Sequence, residues 1–109
     1  MDPQDRTRID DAFDALANRY RRRVLVALAR RDPQSGALKV PEAVLPADGW
    51  SEGLEIVFYH VHLPKLEDRG FVEWDREART VAPGPAFEAI RPLVELMDEH
   101  SDQLPDDWR

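Results

Sequence analysis

Residues 62–75 read His62-Leu63-Pro64-Lys65-Leu66-Glu67-Asp68-Arg69-Gly70-Phe71-Val72-Glu73-Trp74-Asp75, and this run decides the fold. It contains the end of a helix, the glycine that stops it, and the first strand of a hairpin. Backwards from Gly70, a favoured residue just past a helix end, the helix extends to Ser51, a good N-cap. Pro64 lies inside that 51–69 span and predicts a kink or a tightened turn. Forwards, Phe71-Val72-Glu73-Trp74 and Arg79-Thr80-Val81-Ala82 read as two short strands, with the polar run 75–78 turning between them. A lone hairpin is marginal in water, so it must dock on the helices.

Upstream, Ile9, Phe13, Leu16, Tyr20, Val24 and Leu28 step by three and four, the helical period. A register shift near Asn18 divides them into helices over 9–17 and 19–31. Asp32-Pro33-Gln34-Ser35-Gly36 then stops the second. A helix of about two turns is expected from Pro41 to Pro46, followed by a loop at Ala47-Asp48-Gly49. Downstream, Phe87, Ile90, Leu93, Val94, Met97 and Leu104 form a wide apolar stripe on a long final helix that contains Pro92. The expected architecture is mainly α with a β-hairpin wing. It reads as a winged helix-turn-helix over 9–84, with a flexible arm at 1–8, a C-terminal dimerisation helix at 85–104 and an acidic, solvated tail at 105–109.

The chain of 109 residues carries 22 Asp and Glu against 15 Lys and Arg, a net charge of -7. Only Lys39 and Lys65 are lysines; the other cations are arginines. Absence of cysteine removes disulfides, thiolate catalysis and cysteine zinc sites together. No apolar run reaches the ~20 residues of a membrane span, and no signal-peptide core follows Met1. These features read as one cytoplasmic domain. An acid-rich, lysine-poor surface suits a cytoplasm of molar salt, where screening falls to about 3 Å; an acidic protein from a GC-rich bacterium has similar composition.

Two stretches carry a resemblance. Residues 15–25 (Ala15-Leu16-Ala17-Asn18-Arg19-Tyr20-Arg21-Arg22-Arg23-Val24-Leu25) resemble the entry helices of arsenical-repressor-type winged-helix regulators. Residues 62–72 resemble the end of their recognition helix and the first wing strand. With Glu73-Trp74-Asp75 and Arg79-Thr80-Val81 added, the chain is similar to small haloarchaeal winged-helix domains of unassigned function. The resemblance implies a transcription regulator or an interaction domain derived from one, usually homodimeric, and places His62 where its ring could reach a phosphate.

The residue chemistry is divided. Arg19, Arg22, Arg23 and Arg30 share one face of the second helix, while Arg76 and Arg79 sit on the wing. In a winged helix both regions can reach phosphates, contacts that position the protein without reading sequence. The plain alternative is a solvated face paired with carboxylates. On the 51–69 helix, Ile56, Tyr59, Leu63 and Leu66 form the expected core stripe. The opposite stripe holds Leu54, Val57, Phe58 and Val61, flanked by Glu52 and Glu55. Base reading needs polar donors and acceptors, of which this helix offers only Ser51, Tyr59, His60, His62 and Lys65. A second apolar stripe marks a contact instead. Molar salt sharpens the point, because six phosphate contacts lose about five decades of affinity over a tenfold rise in salt.

Catalysis has little support: the acid pairs Asp10-Asp11, Glu67-Asp68 and Asp106-Asp107 sit on polar faces, with no nucleophile elbow or phosphate loop. His60 and His62, two apart on a helix, point about 160° apart and cannot chelate one metal. No cofactor and no metal are expected. The reading is a homodimeric regulator of double-stranded DNA, contacting it through Arg19, Arg22, Arg23, Ser51, His60, His62, Lys65, Arg76 and Arg79, and dimerising through Phe87, Ile90, Leu93, Val94, Met97 and Leu104. Its competitor is a winged-helix protein-interaction module that uses Leu54, Val57, Phe58 and Val61.

Overall fold

The computed structural model describes residues 8–44 and 51–108. The expected arm, apart from Arg8, and the 47–49 loop therefore lie outside the described residues. Helix α1 (Ile9–Leu16) and helix α2 (Arg19–Arg30) are divided at Asn18. The reason is chemical: Asn18 is extended, and its Oδ1 accepts from the N–H groups of Tyr20 (2.8 Å) and Arg21 (3.2 Å). Those are orphan donors of a new helix start. Asp32 caps a 3-10 turn at Pro33–Ser35, and Gly36 leaves it at φ 80°.

Strand β1 (Leu38–Lys39) follows, with no counterpart in the sequence reading. The helix expected from Pro41 is a turn over 41–44; its remainder, 45–46, lies outside the described residues. The Val40 N–H bonds to the Arg79 carbonyl at 3.0 Å, and Val40 and Val44 enter the core. The backbone here is committed to the sheet.

Residues 52–68 form one helical rod, α3, in three consecutive pieces: α-helix at Glu52–Val57, a π turn at Phe58–His62, and α-helix at Leu63–Asp68. Gly70 ends it at φ 77°. The hairpin is β2 (Val72–Asp75) and β3 (Thr80–Pro83), one residue later than the sequence spacing indicates. The sheet is antiparallel in the order β1-β3-β2, pairing Leu38 with Val81 and Trp74 with Val81. Asp75 Oδ1 closes the hairpin loop by accepting from Glu77 and Ala78. Helix α4 (Phe87–Glu99) packs back on α2. The molecule is thus mainly helical with a small three-stranded sheet, an arrangement compatible with a helix-turn-helix and a hairpin wing.

Three expectations at the C-terminal end need correction. The last helix stops at Glu99; 3-10 turns at Ser101–Gln103 and Asp106–Trp108 follow. The acidic tail is not a solvated fray, because Trp108 is buried and Arg22 binds its carbonyl at 2.6 Å. The stripe assigned to dimerisation is used within the chain: Phe87, Ile90 and Val94 have no exposure, and Leu93, Met97 and Leu104 pack half-buried on the same core. Its breadth, wider than a two-stranded seam, matches that role. The large apolar side chain that α4 leaves in solvent is Leu96, 55% exposed.

The chain reverses from β3 into α4 at Gly84, whose N–H bonds to the Phe71 carbonyl at 3.0 Å. A Cβ at this position would run into the Gly70 carbonyl and lie 2.9 Å from the Val72 nitrogen, both rigid backbone. Gly84→Ala is expected to cost about 2–3 kcal/mol and to lower the melting temperature by roughly 10 °C or more. Thermal unfolding followed by circular dichroism measures this; an unchanged midpoint would mean that the two turns separate freely.

Candidate functional site

Helix α3 starts as its sequence indicates, with Ser51 Oγ accepting from Leu54 N–H at 3.0 Å. Its interior departs from regular pitch because of Pro64. Proline has no N–H to offer and its ring clashes with the carbonyl four residues earlier. The strain is met by widening the preceding turn, in which Leu63 N–H reaches back five residues to the Phe58 carbonyl. Such a turn inserts one residue of phase, roughly 100°.

That shift rearranges both predicted stripes. Phe58, Leu63 and Leu66 come to one side and are fully buried, with Leu54 and Tyr59 half-buried beside them. Ile56, expected in the core, is 53% exposed. Of the predicted partner face, Phe58 is core and Leu54 is partly covered, while Val57 and Val61 remain 43% and 49% exposed. The outward face of α3 is therefore Ile56, Val57, His60 and Val61, with Glu52 and Asp68 exposed towards its two ends.

The hairpin docks on α3 through a stack. The Tyr59 and Trp74 rings lie 5.6 Å apart and nearly parallel, and the Arg76 guanidinium sits 4.1 Å from the Trp74 centroid. Tyr59 Oη donates to the Val40 carbonyl at 3.3 Å. Burial first, then the Glu55 charge, raises the pKa of that phenol.

The arginine run does different work from that expected of it. The last carbonyls of α1 run short of helical partners; Ala17 N–H reaches Asp14 O, and Arg21 and Arg22 supply further donors. Arg21 Nε donates to Ala15 O and Nη2 to Asp14 O, each at 3.0 Å; Arg22 Nη1 donates to Leu16 O at 2.8 Å. Arg22 also donates to Trp108 O and to Asp107 O, the latter at 2.7 Å, clamping the 106–108 turn. Arg21, absent from the predicted site, is 7% exposed, and its Nη1 lies 3.0 Å from His62 Nδ1. A guanidinium only donates, so His62 Nδ1 accepts and the ring is neutral, with its proton on Nε2. Burial, followed by the Arg21 and Lys65 charges, holds the His62 pKa below its ordinary value.

The remaining predicted contacts are dispersed. Lys65 Nζ pairs with Asp14 Oδ2 at 3.0 Å, and its hydrogen bond is the first cause of the lowered Asp14 pKa. Arg69 bridges to Asp11 and lies 3.7 Å from Asp14. Arg76 reaches Glu67 at 3.4 Å. Arg23 lies over the Tyr20 ring, half-buried. Arg19, His60 and Arg79 are exposed, Arg79 in the hairpin loop at φ 57°. Ser51 acts as a cap. Of the nine expected DNA contacts, Arg22, Ser51, His62, Lys65 and Arg76 are engaged within the chain. Nothing in the periodicity pointed to Arg21, because its acceptors are brought together only when α1 turns back on α2.

A family model spans α1 through β3, covering residues 13–82, well over half of the chain. The chain belongs to the family described as a domain of unknown function, DUF7344. No curated protein and no solved structure matches it. The DUF7344 segment contains α3, the hairpin and the Arg21–His62 contact, while α4 and the Trp108 turn lie beyond it. Among its described residues no helix is long and apolar enough to cross a membrane, and no group of His, Asp and Glu is arranged to hold a metal.

Proposed function

We propose that this DUF7344 chain is a winged-helix module that binds a protein partner through the outward face of α3. One observation carries the reading: the face that would meet base edges presents Ile56, Val57 and Val61 to solvent. Major-groove edges call for polar partners, and those on α3 are engaged elsewhere. Ser51 caps the helix, His62 accepts from Arg21, and Lys65 pairs with Asp14. His60 faces outwards beside the apolar residues. Glu52 and Asp68 repel phosphates but complement a partner whose apolar contact surface is ringed by Lys or Arg.

The test places a photo-crosslinking amino acid at position 57 in the native host, with position 73 on the sheet as control. One discrete protein adduct, lost in Val61→Lys and reproduced with the purified partner, is expected. Adducts to DNA, or none specific to position 57, would overturn the reading; an adduct to a second copy would make the partner the chain itself.

The regulator reading retains one specific support, the exposed Arg76 and Arg79 on the hairpin. It predicts duplex retardation in molar KCl that Arg76→Glu with Arg79→Glu abolishes. Arg22 is unsuitable for that test, because reversing its charge would release the 106–108 turn.

A further inference from the structure

A cleft of about 360 Å³ runs along α2, between the 41–44 turn and Trp108. Val26, Ala27, Val44 and Trp108 line it together with Arg22, Arg23 and Arg30, the last paired with Asp98. The geometry points to this cleft as a binding site for a small organic carboxylate with an apolar body.

The case rests on two arginines beside an apolar lining. Arg30, Lys65, Arg69, Arg76 and Arg91 each have a carboxylate partner. Arg22 and Arg23 have none within ion-pair distance among the described residues; the same holds for Arg21 and Arg31, but of these four only Arg22 and Arg23 line the cleft. Arg22 donates to three backbone carbonyls and lies 5.6 Å from the Trp108 ring centroid, with the Asp107 charge acting on it from beyond ion-pair distance. Arg23 has the Tyr20 ring and one long contact, 3.5 Å, to the Val44 carbonyl. Two half-buried guanidiniums beside an apolar floor match a carboxylate at one end of the ligand and hydrocarbon at the other. The Trp108 wall also holds a buried indole N–H that meets no acceptor. Duplex DNA is far too wide for such a cleft, and inorganic phosphate would leave its floor uncovered.

The test titrates the full chain with 2-naphthoate, its neutral isostere 2-naphthamide, and inorganic phosphate, read by calorimetry and amide chemical shifts. Naphthoate is expected to saturate, with shifts around Arg23, Ala27 and Val44, and to bind about tenfold or more tightly than the amide or phosphate. Arg23→Gln should weaken it about tenfold. Ala43→Trp, which places bulk from an exposed position over the cleft, should abolish it. Both variants should melt as wild type does, and Arg23→Gln alone decides if Ala43→Trp does not. Equal binding of the amide or of phosphate, no saturation, or indifference to Arg23→Gln would overturn the assignment. No partner protein or DNA enters the assay, so the result is independent of the α3 reading.

Discussion

Phe87→Ala is expected to remove about 3–5 kcal/mol of stability, and to do so equally at every protein concentration. The ring has no exposure and lies where α4 closes over the core, beneath the Arg91 guanidinium 4.8 Å from its centroid. Truncation there removes the transfer energy of the ring and leaves a cavity that the surrounding backbone cannot fill. Against a total of roughly 5–15 kcal/mol for a domain, this is a large fraction. Urea unfolding at about 1 µM and about 100 µM protein measures it. A loss below about 1 kcal/mol, or a wild-type midpoint that climbs with concentration, would restore the α4 stripe as a subunit seam.

Arg21→Met should cost about 3 kcal/mol, because it leaves the Ala15 carbonyl and His62 Nδ1 without their donor and the Asp14 carbonyl with the Ala17 N–H alone. Methionine retains the aliphatic length of the side chain, so the loss reports the guanidinium rather than packing. The same contact gives the fold an acid limit. His62 is neutral when folded and its pKa is depressed, so as pH falls through roughly 6.5 the unfolded chain takes up a proton that the folded chain refuses. Stability is complete above that pH and declines below it, by up to about 1.4 kcal/mol per pH unit, until the folded ring itself titrates. The paired Asp14 carboxyl acts only in more acid solution, below about 4. Melting curves between about pH 7 and pH 5 should therefore fall in wild type and flatten in His62→Gln. Parallel curves would place the acid sensitivity elsewhere.

The features legible in the sequence are those encoded by neighbours. Asn18 divides two helices and caps the second through atoms two and three residues away; Gly70 stops α3 at positive φ; Asp75 closes a hairpin that the polar run 75–78 between two short strands had already indicated. What escaped depends on partners distant along the chain. β1 is two residues long and exists because β3 offers it an edge, so no period marked it. Arg22 looked like a phosphate ligand until Leu16 and Trp108 presented carbonyls to it. Exposure of Ile56 and burial of Phe58 follow from the phase gained at the π turn, which a single helical wheel cannot express. The candidate face was half legible: Val57 and Val61 were found, while Ile56 was assigned to the core. The α4 stripe was found correctly, but a stripe does not say which surface it covers.

The wide turn at 58–62 also sets the gauge of anything that grips α3. A groove cut for a regular helix repeats its anchors every three or four residues. On this rod the buried Phe58 and Leu63, joined across the wide turn, are five residues apart, whereas Leu63 and Leu66 beyond it are three apart. A binder shaped to the first half of α3 is out of step with the second, so recognition by a continuous groove requires a partner carrying the same one-residue offset.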